Sequence, residues 1–394
     1  MKRGARIVVF LNNKLIACDT VVPLTIDLAE QRKDLAFEFV TFEERTYEAI
    51  RRNIVLYDAI CSIGRLSFRG RRANERGSAL ASLRHRLGAI VWLLSLAARA
   101  LAGRVIFVHF KALNRGPLRV LGAIAYRRTI YMEPTAIGYA PLERQVSDMM
   151  MHRRYRKSSI VGRYLIGFSE HWEPLGDEQL ADRVRLKLPP PFRSAKWQEW
   201  LRQRADQYLD AVFRGEGLEP QQRIAVFILT WMGPSGLLAE SDLFPTLFEE
   251  TLEALADACP NLPIFLKPHP ALRPHERTEL IKRVRTRTRG IALLSDLHPM
   301  ILGQRACFAV ANCYSTTFSV LRALDVPTVE YTAYKPSILA VTDGGSMRPE
   351  FVSHFIQRDA AALTKTLRSL ADAKVPAKAP AAVVSMSEPL LAVL

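Results

Sequence analysis

The chain has 394 residues, with 55 Lys and Arg against 39 Asp and Glu, a formal charge of +16. At roughly 150 residues per domain there is room for two to three domains, two being favoured when both are α/β. Apolar residues at 49% and charged residues at 24% match folded globular chains and exclude collagen-like, coiled-coil, disulfide-scaffold and disordered sequences.

The N-terminus starts basic and turns apolar from Ile7 to Leu11 before Asn12 and Asn13. That run is too short for a signal-peptide core and reads as the first buried strand of a parallel sheet. A helix is expected over Val21 to Glu30, a strand over Phe37 to Val40, and a helix over Glu43 to Arg52 that leads into apolar Ile54 to Ile60. Leu87 to Gly103 is the most hydrophobic segment of the chain. It falls short of the ~20 residues a spanning helix needs, and Arg99 interrupts it. It reads as a buried helix covering a sheet, or as a helix lying on a membrane surface. Arg104 to Phe110 is strand-like, Gly116-Pro117 opens a helix through Tyr126, and Thr129 to Met132 is the next strand. Alternation of this kind implies βαβ units.

Residues 177–217 change character. Pro189-Pro190-Pro191 cannot continue a helix, and a helical run from Lys196 to Phe213 follows with Trp197 and Trp200. This stretch reads as a connection, closed by Gly215 to Pro220. A second α/β series then begins. Arg223 to Leu229 is a buried strand, and Thr230 to Gly236 a glycine-containing loop. A helix over Phe244 to Asp257 precedes the strand Leu262 to Leu266, which runs into Lys267-Pro268-His269-Pro270. A helix over His275 to Thr286, strands at Ile291 to Leu294 and Ala306 to Ala311, a helix over Ser315 to Ala323 and a strand at Val326 to Glu330 complete it. The expected division is a first Rossmann-like domain over residues 1–176, a connection over 177–220, a second Rossmann-like domain over 221–355, and a C-terminal helix and tail over 356–394.

Five cysteines, at positions 18, 61, 259, 307 and 313, form no Cys-x-x-Cys pair. Their odd number argues for a reducing compartment over a disulfide framework.

Two constellations carry chemistry. In the first, a strand ends in Lys267-Pro268-His269-Pro270, so an imidazole is held between two prolines of fixed φ. Carboxyl ends of strands line the ligand crevice of an open α/β sheet. A histidine there can donate to a phosphate oxygen or protonate a leaving group, and Lys267 adds a positive charge. The plainer alternative is a surface turn. The second is Asn312-Cys313-Tyr314-Ser315-Thr316-Thr317, a hydroxyl-rich turn between strand and helix, where amides, hydroxyls and the helix dipole favour an anion. Taken alone, it is equally an ordinary N-cap.

The pair, some 45 residues apart and followed by Val326-Pro327-Thr328-Val329-Glu330, resembles the GT-B glycosyltransferases of bacterial surface polysaccharide synthesis that carry an HP motif and a later Ser/Thr motif. Sialyl- and polysialyltransferases, capsule Kdo transferases and teichoic-acid glycerophosphate polymerases belong to these groups. The motifs cover about Arg223 to Glu330; the first half agrees only in its α/β pattern. The resemblance implies an α/β fold of two Rossmann-like domains facing across a cleft. It implies a nucleotide-sugar donor, CMP-, CDP- or UDP-linked, with no cofactor and no bound metal at the donor phosphates. In that case His269 contacts and protonates the donor phosphate. Ser315, Thr316 and Thr317 hold it with Lys267, the loop of Gly233, Ser235 and Gly236 approaches the donor closely, and Glu330 completes the donor-binding set. No Asp-x-Asp sequence occurs, in keeping with this. The general base would come from the N-terminal half, where no acidic-acidic-Gly motif is present. Asp19, His109 and Glu133, at expected strand ends, are the candidates.

The positive charge is unevenly placed. From Arg65 to Arg128 there are fourteen Lys and Arg and one acid, Glu75, and His152 to Lys157 forms a second cluster. An imbalance of this size exceeds simple solvation of a helix face. It suits an anionic glycan acceptor, or a lipid-linked acceptor in an anionic leaflet, and with it a cytoplasmic protein in peripheral contact with the inner face of the membrane. A nucleotide-sugar 2-epimerase of the same architecture is the enzyme alternative, and a glycerophosphate-type phosphotransferase a lesser one. A nucleic-acid-binding protein would explain the charge, but no zinc spacing, RNP pattern or Walker A sequence supports it.

Overall fold

The computed structural model describes residues 5–11, 16–71, 79–110, 112–114, 116–132, 161–168, 183–229, 237–240, 243–269, 272, 274–287, 290–373 and 391. The chain divides into two compact units; the described residues pass from the first to the second between Gln198 and Glu199, and Leu391 belongs to the first again.

The first unit is built on a parallel sheet. Its strands are β1 (Arg6–Phe10), β2 (Ala36–Thr41), β3 (Gly64–Phe68), β4 (Val105–His109), β5 (Thr129–Met132), β6 (Tyr164–Gly167) and β7 (Val184–Lys187), in the spatial order 3-2-1-4-5-6-7. The helices are α1 (Ile16–Gln31), α2 (Glu44–Arg52), α3 (Ile54–Ile63), α4 (Ala79–Leu101) and α5 (Gly116–Ile124). Strands β1, β4 and β5 are buried along their whole length or nearly so, which is why they read as unbroken apolar runs rather than alternating ones. Val8, Phe10, Val105 and Phe107 of the sheet pack against Leu96 and Ala100 of α4 and Leu121 of α5.

Four features differ from the expectation or add to it. Helix α1 begins at Ile16 and carries Pro23 inside it. A proline there disfavours an isolated helix by about 3 kcal/mol, but Cys18, Val21, Val22, Leu24 and Leu28 are buried, and tertiary packing decides. The segment 54–63 is helical. The expected connection at 177–220 also contains β7, so the first sheet runs on past residue 176. The single helix expected from Lys196 to Phe213 is two, α6 (Ala195–Arg202) and α7 (Ala205–Gly215).

The second unit has its own parallel sheet. Strands β8 (Ile224–Ile228), β9 (Ile264–Lys267), β10 (Ala292–Leu294), β11 (Ala306–Asn312), β12 (Thr328–Thr332) and β13 (His354–Gln357) lie in the order 10-9-8-11-12-13. Flanking them are α8 (Leu243–Ala258), α9 (Pro274–Arg287), α10 (Pro299–Arg305), α11 (Thr317–Arg322), α12 (Pro336–Val341) and α13 (Ala360–Asp372). Strand β13 straddles the boundary expected at residue 355, and α13 packs on α8, so both belong to this α/β unit. Phe227, Leu266, Phe308, Val310 and Val329 from the strands meet Phe248, Leu252 and Leu255 of α8 in its core.

Both sheets have the strand order of the Rossmann fold, in which the chain winds outward from a central strand in both directions. The order reverses between β1 and β4 in the first unit and between β8 and β11 in the second.

Candidate functional site

The carboxyl ends of β9, β8 and β11 are adjacent in the second sheet. At about 4.8 Å between neighbouring strands, the ends of β9 and β11 are roughly 10 Å apart, within reach of one nucleotide-sized ligand. Lys267 closes β9 opposite Ile228 of β8, and Asn312 closes β11. The fold thus brings the Lys-Pro-His segment and the Ser/Thr turn to one edge, at the point where strand order reverses.

On the β9 side, Lys267 is largely buried and its Nζ donates to the carbonyl of Asp296 at 3.3 Å. Asp296 is held by Arg277, whose two terminal nitrogens reach both carboxylate oxygens at 3.0 and 2.7 Å. Such a bidentate pair fixes geometry as well as charge. His269 follows at the edge, half-buried, and its carbonyl accepts from the amide of Leu272 at 3.0 Å. Gly233, Ser235 and Gly236, in the loop after β8, lie outside the described residues, as does Pro270.

On the β11 side, the chain leaves the strand through Cys313 at a φ of 65°, a left-handed conformation uncommon for a residue with a side chain. Burial pushes the Cys313 thiol up to about 12, so it stays protonated and contacts Thr332 Oγ1 at 3.4 Å. Asn312, buried, donates through Nδ2 to Thr251 Oγ1 at 2.8 Å and to the Leu247 carbonyl at 3.2 Å. It ties the strand end to α8.

The turn differs from a free helix start. Helix α11 is only six residues long, and Thr316 caps it without a side-chain hydrogen bond. The amide of Thr317 donates to Ser315 Oγ at 3.3 Å, that of Phe318 to the Ser315 carbonyl at 2.9 Å, and that of Ser319 to the Thr316 carbonyl at 3.3 Å. The first amides of the helix are therefore engaged within the turn. What the turn presents at the edge is hydroxyl chemistry, with Thr316 exposed and Ser315 and Thr317 half-buried.

Glu330 corrects the sequence reading more strongly. It sits on β12 with no exposed surface. One carboxylate oxygen accepts from the Tyr334 phenol, and the other from Ser346 Oγ at 2.5 Å. Burial raises its carboxyl to about 7, although the hydrogen bonds from Ser346, Tyr334 and the Tyr314 amide oppose the shift. The Tyr334 oxygen also accepts from the Tyr314 amide at 3.1 Å. Glu330 thus anchors the residue before Ser315 from beneath and offers no oxygen at the surface. Tyr334 and Ser346 were not singled out from sequence; no spacing rule links positions 330, 334 and 346.

Asp19 and His109 belong to the first unit. Asp19 lies in the first turn of α1, half-buried, not at a strand end. His109 ends β4 and is fully buried. Its Nε2 is 2.7 Å from the carbonyl of Val161, and its Nδ1 accepts the Leu113 amide at 3.4 Å. Burial lowers its pKa to about 4, against the raising effect of the Val161 carbonyl. A neutral ring with its proton on Nε2 fits both contacts, and neither nitrogen is left for a substrate. Glu133 lies outside the described residues. Among the described residues no cluster of His, Cys, Asp and Glu could hold a metal ion, and no helix is long and apolar enough to cross a membrane.

No family model matches the sequence, and no curated protein matches it. Solved structures resemble the chain along most of its length. One is a putative UDP-N-acetylglucosamine 2-epimerase from Listeria monocytogenes, at 10% identity and a TM-score of 0.47 over 100% of this chain and 96% of that one. Another is Os79 from O. sativa in complex with UDP, at 13% identity and a TM-score of 0.47 over 93% and 91% of the two chains. A third is the E. coli heptosyltransferase WaaC with ADP-2-deoxy-2-fluoro heptose, at 12% identity and a TM-score of 0.43 over 92% and 99%.

Proposed function

We propose that the protein is a glycosyltransferase that moves a sugar from a nucleotide donor to a growing surface polysaccharide or a lipid-linked glycan. The observation that supports this reading is that the strand ends leading to Lys267 and His269 and to the Ser315–Thr317 turn share the carboxyl edge where the second sheet reverses its strand order. That edge is where open α/β sheets bind phosphorylated ligands.

In the reaction the bond from the anomeric carbon to the donor phosphate breaks, and a bond from that carbon to an acceptor oxygen forms. The departing phosphate gains negative charge. Lys267 and the hydroxyls of Ser315, Thr316 and Thr317 stabilise it, and His269 gives it a proton, with no bound metal required. The acceptor hydroxyl loses its proton to a general base, for which Asp19 is the candidate among the described residues. An anionic acceptor, or the membrane that carries it, accounts for the basic stretch from Arg65 to Arg128. A CMP-linked acidic sugar is the leading donor, on a protein working at the inner face of the cytoplasmic membrane.

The test is a product assay with nucleotide sugars in the presence and absence of glycan acceptor. Acceptor-dependent release of nucleotide, reduced at least about a hundredfold in His269→Ala, supports transfer. Conversion of the sugar without acceptor would make the protein an epimerase, and full turnover in His269→Ala would remove the assigned mechanism.

A further inference from the structure

Helix α4 combines two features that the transfer reaction does not use. The first is a cavity of about 470 Å³ between the helix and the first sheet, lined among others by Arg6, Glu38, Arg65, Arg69, Trp92 and Arg99. Glu38 is its floor, with a carboxylate only 2% exposed. It accepts from Arg6 at 3.2 Å, from Arg65 at 2.9 Å and from Ser67 Oγ at 3.1 Å. Arg69 lies 3.6 Å from the same carboxylate and 5.1 Å over the Trp92 ring. Among the described lining residues four guanidinium groups stand against one carboxylate, a net charge of +3.

The second feature is an apolar stripe on the same helix. Leu83, Leu87, Ile90, Leu94 and Leu101 recur at three- and four-residue steps or their sum, which places them on one face, and each is more than half exposed. Val91, 67% exposed, belongs both to this surface and to the lining of the cavity. Helix α5 packs against α4 and adds Val120 and Ile124. Together these make eight of the nine large hydrophobic residues exposed among the described residues. Neither helix carries an acid, since no Asp or Glu occurs from residue 76 to residue 132.

We propose that this cavity binds the phosphate of an anionic membrane lipid while the stripe of α4 and α5 lies in the acyl boundary of the leaflet. A soluble polyanion would neutralise the arginines but leave eight hydrophobic side chains in water. A neutral apolar partner would cover the stripe but not match the cavity's charge. An anionic bilayer satisfies both at once, because buried apolar area and attraction to anionic headgroups act together at its surface. Val91 sits where the headgroup would meet the acyl region. The proposal rests on the membrane contact of the proposed function and names its site, while its test involves no sugar donor, so its failure leaves the transfer assay standing.

The full chain is sedimented with phosphatidylcholine vesicles and with vesicles of phosphatidylcholine and phosphatidylglycerol in equal parts. The wild type binds the mixed vesicles at least about tenfold more tightly. Arg65→Gln with Arg99→Gln lowers binding to the mixed vesicles by about fivefold per charge and leaves binding to phosphatidylcholine unchanged. Leu87→Glu with Leu94→Glu removes binding to both. Circular dichroism confirms that each variant is folded, and Leu94→Ser alone provides the milder change should the double variant fail to fold. Absent or equal binding of the wild type to the two vesicles overturns the proposal. So does retention of binding by the leucine variants with displacement by soluble polyphosphate, which would identify a polyanion site.

Discussion

The Tyr334 phenol donates to the carboxylate of Glu330, and the same phenol oxygen accepts the amide of Tyr314. A buried acid on β12 therefore positions the turn that carries Ser315. Because burial holds the Glu330 carboxyl near 7, well above its ordinary value, the folded second unit keeps a proton that the unfolded chain releases. Stability from this group is full below about 4.5 and is lost as pH rises through about 7. Glu330→Gln, which cannot ionise, should gain on the wild type across that window, by an amount approaching about 3 kcal/mol. Hydrogen exchange of the β12 amides as a function of pH reads it directly. A stability difference that does not change with pH would contradict the assignment.

His109 gives the first unit the opposite dependence. Its folded pKa is lowered to about 4, so the unfolded chain binds the proton more readily between there and about 6.5. Its contribution is present above 6.5 and is lost as pH falls through 4. His109→Gln keeps a donor for the Val161 carbonyl and removes the titration. Against this variant, β4 amides of the wild type should lose protection on acidification, by up to about 3 kcal/mol. Enhanced protection of the wild type at low pH would show that the ring is charged in place.

Asn312 should be structural rather than catalytic. Its side-chain nitrogen has three acceptors, on Thr251, Leu247 and Tyr331. Asn312→Ala leaves buried acceptors unmet and should destabilise the second unit by about 1–3 kcal/mol. Donor affinity in the surviving folded fraction should fall as well, since the β11 end loses its tie to α8. A variant of unchanged melting temperature would refute this role.

Much of the fold was legible because buried parallel strands are continuous apolar runs, and Ile7 to Leu11, Thr129 to Met132 and Ala306 to Ala311 needed no further signal. Of the strands that escaped notice, Tyr164–Gly167 is a buried run of only four residues next to a sheet edge, and the other three close sheet edges. Gly64–Phe68, Val184–Lys187 and His354–Gln357 are partly exposed and carry Arg, Lys, His or Gln, so neither an apolar run nor a clean alternation marks them. Gly64 is required at its place by the backbone of Phe37, which a Cβ would overlap, a constraint visible only after folding. In the site, the residue types were legible and the wiring was not. Hydroxyls at 315–317 pointed to an anion, yet the left-handed Cys313, the engaged amides and the Glu330–Tyr334–Ser346 contacts arise from strands brought together by topology. His109 had the right residue type at a strand end, but its Nε2 is taken up by the carbonyl of Val161, 52 residues later.

The most direct test of the account is a thermal-shift panel of CMP-, CDP- and UDP-compounds on the wild type and on Ser315→Ala with Thr316→Val. A ligand at a hundred times its dissociation constant adds about 2.7 kcal/mol, enough to raise the melting temperature by about 5 °C or more. The account predicts such a shift for at least one nucleotide or nucleotide sugar in the wild type and a much smaller one in the double variant of equal intrinsic stability. No shift with any compound, or an equal shift in the variant, would contradict the claim that the edge formed by β9, β8 and β11 binds a nucleotide donor.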